Sequence, residues 1–159
     1  MHVFRHRPNA PSPPAKPGAA FHQRLQDLLR QLNIPVAPGP AADAYVLRFA
    51  EEPSLYVMSA ASGTVLFAAC EAGVLPPASP AAMLSGLLAL NHRPSCDTDV
   101  NVGLDTGSGT VVVSSRCRLT AVDAALFKSV LDAIRSTASA ARAIISGASV
   151  SGTRRPAPR

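Results

Sequence analysis

His92 and Cys96 stand four residues apart, close enough for an imidazole to take a thiol proton and leave a thiolate nucleophile. Such a site also needs a group to orient the base. None is evident nearby, and His92-Arg93-Pro94 reads as the exit of a helix. Downstream, Asp97, Asp99, Asn101 and Asp105 alternate oxygen ligands in the manner of a calcium loop. That loop requires glycine where Val102 stands and glutamate where Ser108 stands, so the same spacing is read as a strand. Gly103, Gly107 and Gly109 have no lysine after them and precede a β-rich segment, whereas a phosphate loop opens a helix. Cys70, Cys96 and Cys117 are odd in number and lack CxxC spacing, which argues against a disulfide framework or a thiolate zinc site. They are expected to be reduced and mostly buried. Glu51-Glu52 precedes a proline and reads as a solvated pair. No catalytic residue, metal site or cofactor site is assigned, and function is expected to lie in surfaces.

The net charge of +5 and pI of about 9.7 raise a nucleic-acid reading. The placement of the charges weakens it. Arg5, Arg7, Lys16, Arg154, Arg155 and Arg159 lie in the two ends, leaving nine basic residues against ten acidic ones between them. The ends also lack the interleaved aromatics that stack bases. No apolar run approaches the roughly 20 residues that a membrane span needs. The basic amino terminus is not followed by an apolar stretch, so no secretory leader is expected and the cytoplasm is the expected location.

The elements that must position any surface can be read from periodicity. The Pro-rich residues 1–19 and the Arg- and Pro-rich residues 148–159 are expected to be disordered, with one domain between them over 20–147. Phe21, Leu25, Leu28, Leu29 and Leu32 follow one another at steps of four, three, one and three, which predicts a helix over about 20–33. Pro35, Pro38 and Pro40 bar its continuation. AYVLRFA, SLYVMS and TVLFAAC read as three successive strands, with a turn at Ser62-Gly63 before the third. Ser79-Pro80 predicts the start of a second helix, with Ser79 as cap, Pro80 as first helical residue and Met83, Leu84, Leu87 and Leu88 as its apolar stripe. DVNVGLD alternates Val100, Val102 and Leu104 against polar residues, and Gly107 and Gly109 return the chain into a strand over Val111 to Arg116. Thr120 with Asp123 resembles a capping box for a third helix over about 121–145, carrying Val122, Ala125, Leu126, Val130, Leu131 and Ile134. The order α-β-β-β-α-β-β-α predicts an α+β domain, an antiparallel sheet of about five strands flanked by three helices.

That order, with the opening helix FHQRLQDLLRQLNI, the strand LYVM, the helix ASPAAMLSGLLALN and the closing SSRCRLTAVDAALFKSVLDAI, resembles the class I chaperones of bacterial type III secretion over Phe21 to Ile145. The resemblance implies a non-enzymatic homodimer that holds the amino-terminal segment of a secreted effector in an extended state before export. The secretion ATPase is a further candidate partner. It also implies that the first helix and strand supply the effector surface, through Leu25, Leu28, Leu29, Leu32, Tyr45, Leu47 and Phe49. The second helix and fourth strand supply a twofold interface, through Met83, Leu84, Leu87, Leu88, Val100, Val102 and Leu104. Members of the family are typically acidic, whereas this domain is near neutral without its ends. Another ligand-binding or regulatory module of the same fold, and a basic nucleic-acid-associated protein, stand as the alternatives.

Overall fold

The spacing of apolar residues after Ala19 gives the first helix, α1 (Ala19–Gln31), whose Phe21, Leu25, Leu28 and Leu29 are all buried. It stops two residues earlier than its periodicity suggests. Asn33 takes a left-handed conformation at φ 56°, Ile34 N–H donates to Leu29 C=O at 2.9 Å, and Asn33 N–H donates to Arg30 C=O at 3.0 Å. These two bonds form a Schellman closure, with Asn as the residue that tolerates the left-handed position. The computed structural model describes residues 19–35, 44–49, 52–60, 63–92 and 99–147. The two chain ends, Pro38, Pro40, Cys96 and Asp97 lie outside the described residues, and with them the His92–Cys96 pairing.

Five strands follow the predicted order: β1 (Ala44–Phe49), β2 (Glu52–Ala60), β3 (Val65–Val74), β4 (Val100–Asp105) and β5 (Thr110–Arg118). They form one sheet in the order β1-β2-β3-β5-β4, every neighbouring pair antiparallel. β3 runs beyond its expected end, through an irregularity between Glu71 and Gly73 where Gly73 adopts φ 144°. The β4–β5 turn is closed by Asp105, whose carboxylate accepts from Gly107 N–H at 3.0 Å and Ser108 Oγ–H at 2.6 Å. These bonds, the Ser108 hydroxyl first, hold the Asp105 carboxyl below the usual carboxylate range. Of the residues that resembled a calcium loop, Asn101 and Asp105 thus belong to β4 and its turn, and Asp99 directly precedes the strand.

The second helix, α2 (Ala81–Ala89), starts one residue later than expected. Ser79 Oγ donates backward to Pro76 C=O at 2.7 Å, so it is not available as a cap. Pro80 is the cap residue in an extended conformation, and its carbonyl accepts from Met83 and Leu84. A 3-10 turn over Leu90–His92 continues the helix. The third helix, α3 (Ala124–Ile145), also begins later than its capping-box reading, because Asp123 itself is the cap. Its carboxylate accepts from Leu126 N–H at 2.7 Å. Asp123→Ala is expected to cost about 1 kcal/mol of stability, the usual worth of an N-cap. Thermal unfolding checks this, with Asp123→Asn restoring the loss.

Side chains from alternate strand positions and from the helices meet in one core. α3 lies across β3 and β5, burying Phe127, Val130, Leu131, Ile134, Ala138 and Ala141. Phe127, outside the stripe read from the sequence, is fully buried, whereas Ala125 is exposed. α1 is tied to the loop before α3 by Arg24, whose guanidinium donates to Val122 C=O at 2.5 Å. α2 approaches the end of α3 closely, since a Cβ at Gly86 would lie 3.5 Å from the Ile144 side chain.

Candidate functional site

Register decides which residues of the sheet face the helices. The row Tyr45, Val57, Ala68, Ser115, Val100 and the row Leu47, Leu55, Cys70, Val113, Val102 run across all five strands on the helix side. The intervening row Val46, Tyr56, Ala69, Ser114, Asn101 points the other way. On that outer face Val46 is 50% exposed and its cross-strand neighbour Tyr56 is 38% exposed. Beside them a hollow of about 420 Å³ is lined by Ala60, Val65, Phe67, Asn101, Ser114 and Arg116, with Ser115. β1 is an edge strand, and an edge strand presents main-chain donors and acceptors to whatever lies alongside it.

The seven residues proposed from α1 and β1 for contact with a partner lie on the opposite side. Leu25 and Leu28 are fully buried, Leu29 nearly so, and Leu47 is buried. Leu32, Tyr45 and Phe49 are partly buried against the core. Tyr45 stacks between elements, with Phe21 at a ring separation of 6.2 Å and His22 at 5.7 Å, and its hydroxyl hydrogen-bonds to His22 Nδ1. Phe49 is covered by the Arg135 guanidinium at 4.6 Å. α1 spends its leucines on closing the core, and the exposed large apolar residues of β1 and β2 are Val46 and Tyr56, on the outer face. Sequence reasoning missed both. The signal was the alternation itself, which sets Val46 opposite in phase to Tyr45 and Leu47.

The second surface joins α2 to β4. Leu84, Leu87, Leu88, Val102 and Leu104, with Leu75, Gly103 and Val111, line an apolar groove of about 330 Å³. The structure therefore brings together five of the seven residues expected at an interface. Within the stripe, only Leu87 is buried, while Leu88 is 63% exposed and Leu84 41%. Leu104 is 47% exposed at the sheet edge. The remaining two, Met83 and Val100, are partly buried against the core. Asn91, which was read only as part of a helix exit, reaches from the 3-10 turn onto β4.

Cys70 is buried and Cys117 half-buried, and burial pushes the Cys117 thiol up, keeping it protonated at neutral pH. Among the described residues no cluster of three or more metal-ligating side chains occurs, and no helix is long and apolar enough to cross a membrane.

Both surfaces are shallow and built on regular elements, the α2–β4 groove apolar and the outer face mixed, which suits them to polypeptide, and the order of elements around them resembles that of the class I chaperones of type III secretion. The chain belongs to the Tir chaperone protein (CesT) family, whose model matches residues 23–142. This is a family of non-enzymatic chaperones. Among solved structures, the chain is similar to one in the heterodimeric ExoU–SpcU complex from the type III secretion system of Pseudomonas aeruginosa, at 21% identity and a TM-score of 0.65. That match covers 76% of this chain and 97% of the other. It is also similar to a chain of the HopA1–SchA chaperone–effector complex, at 13% identity, covering 82% and 98% of the two chains with a TM-score of 0.63. A third likeness is to the Yersinia pestis type III secretion chaperone SycH in complex with a fragment of YscM2, at 12% identity, 74% and 96% coverage and a TM-score of 0.56. No curated protein sequence matches the chain significantly.

Proposed function

We propose that the domain over 20–147 works in the cytoplasm as a homodimeric, non-enzymatic chaperone that holds the amino-terminal segment of a secreted effector against the outer side of β1 and β2. The observation that carries this reading is the exposed pair Val46 and Tyr56, adjacent across the two strands at an open sheet edge. A segment added beside β1 gains main-chain hydrogen bonds and can lay apolar side chains on Val46, with Tyr56 next to it across the sheet. The α2–β4 groove, on the far side of the sheet, supplies the twofold contact, since exposed Leu84, Leu88 and Leu104 make a self-complementary apolar patch.

Calorimetric titration of the full chain with synthetic amino-terminal segments of co-expressed effectors, and with duplex DNA at two salt concentrations, tests the reading. Val46→Asp is expected to weaken segment binding by about 2 kcal/mol or more, roughly 30-fold, as an interface hot spot does. Its melting temperature should stay close to that of the parent, because Val46 is half exposed. Tight, steeply salt-dependent DNA binding without segment binding would overturn the assignment.

A further inference from the structure

Val102 lies midway along β4, which has β5 on one side and an open edge on the other. In an antiparallel ladder the N–H and C=O of one residue point the same way, and successive residues alternate. Val102 N–H donates to Asn91 Oδ1 at 2.7 Å, and Asn91 Nδ2 donates to Val102 C=O at 3.3 Å. Both main-chain groups of Val102 therefore face away from β5, and a single carboxamide satisfies both. A carboxamide carries a donor and an acceptor side by side, as a peptide group does. Asn91 thus occupies the place where one residue of a sixth strand would pair.

Two features fix the plug and explain its need. Asn91 projects from the 3-10 turn, whose Leu90 is buried in the core, so the carboxamide is held on a rigid base. The strand that it covers has few other protections. Between Val100 and Asp105 there is no proline and no basic residue, and the one acid, Asp105, is engaged in the turn. Gly103 adds no side-chain bulk, with nothing within 4 Å of where a Cβ would stand, and Leu104 is exposed beside it. An apolar edge of this kind is a template for unwanted strand pairing unless something blocks it.

We propose that Asn91 is a strand-edge stopper, whose carboxamide closes the β4 edge to strand addition and thereby directs an added chain to β1. The second half rests on the function proposed above; the first half rests on this chain alone. It predicts that β4 meets a second copy through side chains in the α2–β4 groove and not by sheet continuation.

The test uses the full chain as wild type, Asn91→Ala, Asn91→Asp and the double variant Asn91→Ala with Val102→Pro. Hydrogen exchange at low concentration should show the Val102 amide protected in the wild type and about tenfold faster in Asn91→Ala, the worth of the lost bonds. Sedimentation velocity over rising concentration should show Asn91→Ala alone forming species larger than the wild type. Adding Val102→Pro should abolish them, because proline removes the freed N–H and is tolerated on edge strands. Asn91→Asp keeps an acceptor for the Val102 N–H and sets a charge on the edge, so it should sediment as the wild type even if the double variant fails to fold. An Asn91→Ala chain that sediments as the wild type at every concentration overturns the proposal, whatever its exchange rates. Larger species that persist in the double variant or arise equally in Asn91→Asp overturn it too, since they come from another surface. Failure of the effector-segment titration alone would change none of these outcomes.

Discussion

Leu88→Asp is expected to give a folded monomer where the parent chain sediments at about twice 16.4 kDa. Leu88 is 63% exposed in the single chain, so its replacement removes little from the core. At a twofold contact, however, each substitution appears twice, and a carboxylate placed among Leu84, Val102 and Leu104 loses water without gaining a partner. The effective penalty is several kcal/mol per buried ion, so a shift of the dimer Kd by a factor of about 100 or more is expected. Leu87→Asp gives the contrasting result. Leu87 is only 6% exposed and belongs to the core, so its replacement unfolds the domain and says nothing about assembly. Sedimentation at micromolar concentration beside thermal melting separates the two. A Leu88→Asp chain that remains dimeric with an unchanged melting temperature would remove the α2–β4 groove from the interface.

The element order was legible because each helix or strand carries its own periodicity, and a period survives without knowledge of neighbours. The pairing of β3 with β5 was less so, since the two strands are separated in sequence by α2 and β4 and meet only in the folded chain. Helix starts moved by one to three residues for local reasons: Ser79 is drawn back to Pro76, and Asp123 rather than Thr120 reaches the free N–H groups of α3. Periodicity also identifies a stripe without saying what covers it. α1 and α2 each show one, yet α1 is enclosed by the core while the nine-residue α2 sits at the sheet edge and leaves Leu84 and Leu88 uncovered. That is why five of the expected residues line one exposed groove while the leucines of α1 are buried in the core. Asn91 lay beyond reach for a different reason, because its role depends on a strand eleven residues away arriving beside it.

Leu25→Ala should lower stability steeply while leaving the intrinsic affinity for an effector segment unchanged. Leu25 is fully buried, near the middle of α1, in the same cluster as Phe21, Leu28 and Phe127. Truncation removes its transfer free energy and leaves a cavity that a helix pinned at two points does not readily close. The Arg24 bond to Val122 ties the helix beside Leu25, and the Schellman closure at Asn33 ties its C-terminal end. A loss of about 2–5 kcal/mol follows, a large share of a typical domain's stability. In a domain of this size that lowers the melting temperature by roughly 5–15 °C. Segment titration should be done well below the new transition and corrected for the folded fraction, after which the affinity should match the parent. Val46→Asp should do the reverse, costing affinity at nearly constant melting temperature, because Val46 faces outward from the same sheet. The pair therefore distinguishes the two faces. If Leu25→Ala weakened the corrected affinity as much as Val46→Asp does, the leucines of α1 would contact the segment directly, which requires α1 to move off the core when a segment binds.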